Sequence, residues 1–148
     1  MNKLFQILIL LFVATAVHSQ TKTAAHKTTV AKPTGNLTAS IERGKAVYAA
    51  NCLACHQASG GGVPSLNPTL KKTKWVTGPK SDLIQWVLKG GKGQVEIDGE
   101  TFHNAMPSQA KLSDDQIADV LTYVRNSFGN KSSAVTPAEV AAVRAKTN

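Results

Sequence analysis

Both cysteines of the 148-residue chain lie in one hexapeptide, NCLACH, as Cys52 and Cys55 with His56 directly behind them. Two thiols and an imidazole at that spacing can bind zinc, cycle as a redox dithiol, close a small disulfide or anchor a cofactor. Structural zinc takes four Cys or His ligands, so His103 would have to complete the set. The adjacent Cys55 and His56 cannot both face one tetrahedral ion without strain. A redox dithiol belongs at the end of a strand in a βαβ unit, whereas here a helical pattern leads into the motif and no parallel strands are evident. A plain disulfide accounts for neither His56 nor the long loops that follow. The reading that uses all three groups is covalent attachment of a c-type haem, with thioethers from Cys52 and Cys55 and His56 as the proximal iron ligand.

A second iron ligand is sought downstream. Met106 is the only methionine besides the initiator, and it lies in NAMPSQ within a glycine-punctuated loop. Methionine more often fills gaps in a core, but this setting is a loop rather than a helix face. Pro107 biases Met106 toward an extended backbone, which helps present the thioether. His103 is the rival ligand. Met106 ranks ahead because a thioether opposite histidine is the usual electron-transfer pairing.

The elements that must position these groups follow from the pattern around them. Lys3 and the apolar run LFQILILLFVATAV, followed by small residues, read as a secretory signal over residues 1–19. The run is too short for a bilayer span, so no stable membrane span is expected after cleavage. Residues 20–39, rich in Thr, Ala and Lys, read as a flexible tether, and residues 40–148 as one folded domain. The net charge is +8 for the whole chain, and setting aside Lys3, Lys22, Lys27 and Lys32 leaves +4 for the domain. With a secretory signal and no nucleic-acid motif, that mild excess does not point to nucleic acid. Ile41, Lys45, Tyr48 and Cys52 recur at helical spacing with Ser40 as the expected N-cap. Residues 57–74 carry glycines and prolines against regular structure. Residues 81–89 predict a short buried helix stopped by Gly90 and Gly91. Residues 95–106 alternate briefly and turn at Asp98-Gly99. Ser113 with Gln116 forms a capping box for a longer helix whose apolar face is Ile117, Val120, Leu121, Val124 and Phe128, closed by Gly129. Thr136, Pro137 and Glu139 open a last short helix. The expected fold is all-α: a small helical domain whose long Gly/Pro-rich loops wrap one covalent haem, which supplies the core that 5% aromatic residues cannot.

From residue 40 onward the sequence resembles class I monohaem cytochromes c. Gly44 and Tyr48 precede Cys52 at that family's glycine-x3-aromatic spacing, and Pro68 and Leu70 stand where it has a Pro-x-Leu element. Val120 and Tyr123 match its positions on the C-terminal helix that cross the first helix near Gly44, though valine at 120 replaces the commoner leucine. GGGVPSLNPTL, KWVTG, AMPS, LSDDQIADVLTYVRNSFGN and VTPAEVAAVRA are similar to cytochromes that serve periplasmic dehydrogenases and to haem domains fused to copper nitrite reductases. No copper or quinone domain is present in this sequence. The resemblance implies that the Pro68 carbonyl accepts the Nδ1 hydrogen of His56. It also implies a periplasmic single-electron carrier rather than an enzyme, exchanging electrons with redox partner proteins. The alternatives are a cytochrome subunit of a dehydrogenase or reductase complex, and a haem enzyme or gas sensor with an open distal site. Trp75 is a candidate donor to a haem propionate, and Trp86 reads as core packing. Lys71, Lys72 and Lys74 form a basic run that suits acidic docking surfaces. Asp114, Asp115 and Asp119 are explained by the helix macrodipole and solvation.

Overall fold

Asn36 opens the structured part of the chain: its side chain accepts a hydrogen bond from the Thr38 N–H at 2.9 Å and caps helix α1, Leu37–Asn51. The computed structural model describes residues 36–147. The expected export signal, and the tether up to residue 35, lie outside the described residues. Helix α1 starts inside the stretch assigned to the tether, and Ser40 is not its cap. The Ser40 hydroxyl instead donates to Asp119 at 2.6 Å. A short helix α2, Leu53–His56, carries the cysteine motif, and α3, Lys74–Thr77, and α4, Lys80–Lys89, follow the long loop. Strands β1, Val95–Ile97, and β2, Glu100–Phe102, pair antiparallel about the Asp98-Gly99 turn. Helices α5, Asp114–Arg125, and α6, Pro137–Arg144, complete the order. The domain is thus helical with one small hairpin, as expected for the fold class.

Helices α1 and α5 pack most extensively, and glycine makes their crossing close. A Cβ on Gly44 would stand 2.6 Å from the Asp119 carbonyl carbon and 2.8 Å from Tyr123 Cβ. Beside the crossing, Tyr48, Tyr123 and Phe128 form a ring cluster with centroids 5.4–5.6 Å apart. Asp119 is not a solvated helix charge. It is buried, and Arg43 grips it with Nε at 2.6 Å and Nη2 at 2.8 Å, which satisfies an otherwise costly buried carboxylate.

Helix α5 begins with the expected capping box, Ser113 with Gln116, but ends at Arg125 rather than running on to Gly129. The Asn126 side chain turns back to donate to the Thr122 carbonyl at 2.9 Å, and the Ser132 N–H donates to the Arg125 carbonyl at 3.0 Å. Phe128, with φ 59°, therefore leaves the helix and joins the aromatic cluster. Arg125, 3% exposed, donates to the carbonyls of Val76 at 2.5 Å, Gly78 at 3.1 Å and Ser133 at 2.9 Å. Asn130 ties the Lys72 N–H to the carbonyls of Leu70 and Val124.

Helix α6 opens with the expected Thr136 and Glu139 capping box and proline in its first turn. It lies over α4 and α5, burying Val140 completely, while Lys80 donates to Glu139 at 2.5 Å and to the Ala134 carbonyl at 2.9 Å. Among the described residues, no helix is long and apolar enough to cross a membrane.

Candidate functional site

Cys52 is both the C-cap of α1 and the N-cap of α2, so the two cysteines and His56 project from one tight helical turn. The His56 and Cys55 N–H groups both donate to the Cys52 carbonyl, which fixes that turn. The loop beyond it closes back onto the histidine. Gly62, at φ +68°, makes the closure feasible, because a Cβ there would stand 2.6 Å from the Pro68 oxygen. The Pro68 carbonyl thereby comes to 3.0 Å from His56 Nδ1. A carbonyl only accepts, so Nδ1 carries the proton and Nε2 keeps its lone pair. Burial holds the imidazole below its ordinary pKa, against the opposing pull of the Pro68 carbonyl. The side chain is thus neutral, the form that metals bind.

Met106 reaches the same place from the other side of the chain. Its N–H donates to the Gly91 carbonyl at 3.0 Å, and its carbonyl accepts from the Gly91 N–H at 2.9 Å. Ser108 Oγ donates to the Leu88 carbonyl at 2.6 Å, and the Gln109 N–H to that of Val87 at 3.0 Å. These donors satisfy carbonyls that the end of α4 leaves without helical partners. Gly90, at φ +71°, permits the approach, since a Cβ there would lie 2.7 Å from the Ser108 nitrogen. The Gly-Gly pair that stops the helix is therefore also the platform for the methionine loop.

Cys52, His56, Pro68 and Met106 all line two adjoining hollows, one of them more apolar than the other. The walls of the more apolar one include Leu70, Val76, Leu83, Val120, Leu121 and Val124. Cys55 lines the neighbouring hollow. Trp86 borders both, beyond the core role read from its helix, and stacks at a tilt on Trp75 with centroids 5.3 Å apart. Trp75 is 38% exposed and lines both the more apolar hollow and a surface groove that it shares with Lys74. His103 is exposed and follows β2, its N–H bonded to the Ser65 carbonyl, and it is absent from the lining of both hollows. The lysine loop is a border of the cleft: Leu70 and Thr73 line it, while Lys71, Lys72 and Lys74 are exposed.

The donor set decides what the cleft can hold. Among the described residues, no group of three His, Cys, Asp or Glu side chains gathers as metal ligands. Burial, with the neighbouring Cys55, pushes the Cys52 thiol up to about 11, the opposite of what a thiolate nucleophile needs. Two adjoining hollows, lined between them by two free thiols, a neutral imidazole and a thioether, with apolar walls, fit a flat tetrapyrrole iron group.

Comparison with known proteins agrees with that fit. The sequence model of the family described as "Cytochrome c" matches residues 41–128. Cytochrome c-552 of Thermus thermophilus is 32% identical over 121 residues, covering 76% of this chain and 81% of that protein. The gluconate 2-dehydrogenase cytochrome c subunit of Pantoea cypripedii is 34% identical over 110 residues, 70% of this chain and 24% of that subunit. The cytochrome c subunit of the quinone alcohol dehydrogenase of Gluconacetobacter polyoxogenes is 35% identical over 109 residues, 72% of this chain and 23% of that one. The chain belongs to the cytochrome c family, as a class I monohaem electron-transfer module whose cofactor is covalent haem c.

Proposed function

We propose that this cytochrome is an exported single-electron carrier in which Cys52 and Cys55 anchor one haem and His56 and Met106 supply its axial ligands. The observation that carries the reading is the convergence of Cys52, His56 and Met106 on one apolar cleft. When bound, the haem supplies a ferrous/ferric couple that exchanges one electron. His56 offers Nε2 because Pro68 occupies Nδ1. Met106 offers its thioether from a segment pinned at three residues to α4 and the glycine that follows it. With the haem bound, His56 and Met106 would fill both of its open iron positions and leave none for substrate, which supports electron carriage over catalysis or gas sensing. The apolar walls keep water from the site, and Lys71, Lys72 and Lys74 on its border suit an acidic redox partner. The apolar run after Lys3 supports export to the periplasm, with a tether leading into α1.

The test is the optical spectrum of the exported protein. Ferric protein should show the weak red-region band of sulfur ligation, lost in Met106→Ala and kept in His103→Ala. The reverse pattern would transfer the ligand role to His103. A second reading, that the chain works as a docked subunit, is favoured by the relatives named as dehydrogenase cytochrome c subunits. Stable co-purification with a larger oxidoreductase would establish it over a free shuttle.

A further inference from the structure

The segment from Met106 to the start of α5 is held at two ends by different elements. Its near end is fastened to α4 and Gly91 through Met106, Ser108 and Gln109. Its far end is fastened by one side chain from α6. Arg144 donates Nη1 to the Ala110 carbonyl at 2.7 Å, Nη2 to the Leu112 carbonyl at 2.8 Å and Nε to Asp114 at 2.7 Å. Leu112, between these contacts, lines the cleft. The planar fork of a guanidinium suits three acceptors spread along one turn of chain, and an ammonium does not. Arg144 lies beyond the residues matched by the family model, which end at 128.

Helix α6 has its own attachments to the domain. Val140 is fully buried, Lys80 pairs with Glu139, and the Thr122 hydroxyl exchanges hydrogen bonds with the Val135 N–H and C=O. Removing the guanidinium therefore leaves α6 docked through its other attachments, while freeing the strap and losing one contact to α5. We propose that Arg144 is a positioning residue for Met106: it sets how often the strap lifts and the thioether leaves the cleft. The inference rests on Met106 being the distal ligand. A loop-borne ligand leaves by local opening, whose frequency follows the bonds that must break to lift the strap rather than global stability.

The test is the rate of cyanide binding to the ferric, haem-loaded full chain, because cyanide enters only when the distal position opens. Arg144→Gln should bind cyanide about tenfold faster than wild type, the effect of removing hydrogen bonds of ordinary net strength. Arg144→Lys should fall between the two. Arg43→Gln, which breaks a comparable ion pair at the α1–α5 crossing, should leave the rate unchanged while lowering the urea midpoint. Equal acceleration in Arg144→Gln and Arg43→Gln, or no acceleration in Arg144→Gln, overturns the proposal. Should Arg144→Gln fail to accumulate, Asp114→Asn weakens one of the three contacts, and its rate decides in the same way. Met106→Ala separates the two readings. Rapid cyanide binding there with a wild-type rate in Arg144→Gln removes only the role of Arg144. Slow binding in Met106→Ala removes the ligand assignment and this inference with it.

Discussion

Replacing Gly44 by alanine tests the close crossing of α1 and α5. The added Cβ would stand 2.6 Å from the Asp119 carbonyl carbon, closer still to its oxygen, and 2.8 Å from Tyr123 Cβ. None of these atoms ends a flexible side chain, so α1 and α5 must part by about 1 Å to restore ordinary carbon contacts. A gap of that size forfeits roughly a quarter to a half of each dispersion contact it opens. Overpacking of this kind costs about 1–3 kcal/mol. The bonds from Ser40 and Arg43 to Asp119, all 2.6–2.8 Å, stretch with the helices, for roughly another 1 kcal/mol. Alanine recovers about 1 kcal/mol of helix propensity. The net expectation is a loss of about 1–3 kcal/mol, or roughly 5–15 °C in Tm for a domain of this size. Urea unfolding of the haem-loaded protein, followed by far-ultraviolet circular dichroism, measures it. Ala46→Gly, at an exposed position on the same helix, isolates the propensity contribution and should cost about 1 kcal/mol. A Gly44→Ala protein as stable as wild type would refute the steric argument.

The haem should stay with the polypeptide through denaturing electrophoresis and stain for peroxidase activity, and the double change Cys52→Ala, Cys55→Ala should abolish that band. Colour that extracts into acidic acetone from wild-type protein would rule out thioether attachment. Burial pushes the Glu139 carboxyl up, but bonds from Lys80 and from the Thr136 N–H and hydroxyl outweigh it and hold its pKa below the ordinary value of 4.5. Its contribution to α6 docking is therefore complete above about pH 4.5 and fades as pH falls through the lowered value. Hydrogen exchange across residues 137–144 should accelerate in that acid range, and Glu139→Gln should remove the pH dependence; exchange that ignores pH would contradict the assignment. Charge reversal at Lys71, Lys72 and Lys74 should slow bimolecular electron transfer to an acidic partner at low salt, as added salt should in wild type, since screening acts over about 8 Å at physiological ionic strength. Rates indifferent to both would make these lysines a solvated face only.

What the sequence makes legible is local in the chain. Ser113 with Gln116 and Thr136 with Glu139 are side-chain-to-backbone exchanges across three residues, so their spacing alone announces them. The cysteines and His56 sit within one helical turn for the same reason. Contacts between distant residues leave no such trace. Asp119 reads as a solvent-facing helix charge until the fold brings it Ser40 and Arg43 from 79 and 76 residues away. Helix α3 is four residues long, too short for a periodic signal. Helix α1 starts earlier than its apolar pattern does, because Ser40 stands at the head of that pattern and Asn36, the true cap, stands four residues before it. The Pro68 carbonyl is accessible only through resemblance, since a backbone oxygen has no identity in a sequence. Ser108 and Gln109 reach α4 through groups that any neighbouring sequence also offers.

Arg125 carries its charge into the domain with no salt-bridge partner among the described residues, its hydrogen-bond partners being carbonyl oxygens and the Ser133 hydroxyl. One of those carbonyls belongs to Val76, and the residue before Arg125 in the helix is Val124; both valines are cleft walls. Burial lowers the affinity of the guanidinium for its proton, the Glu139 charge partly restores it, and arginine remains charged at any physiological pH. The protein thus sets a permanent positive potential directly behind the apolar wall, where low polarisability carries it farther than water would. Oxidation inside the cleft places a further positive charge in that potential. The Arg125 charge would therefore favour the reduced form of a haem iron held in the cleft.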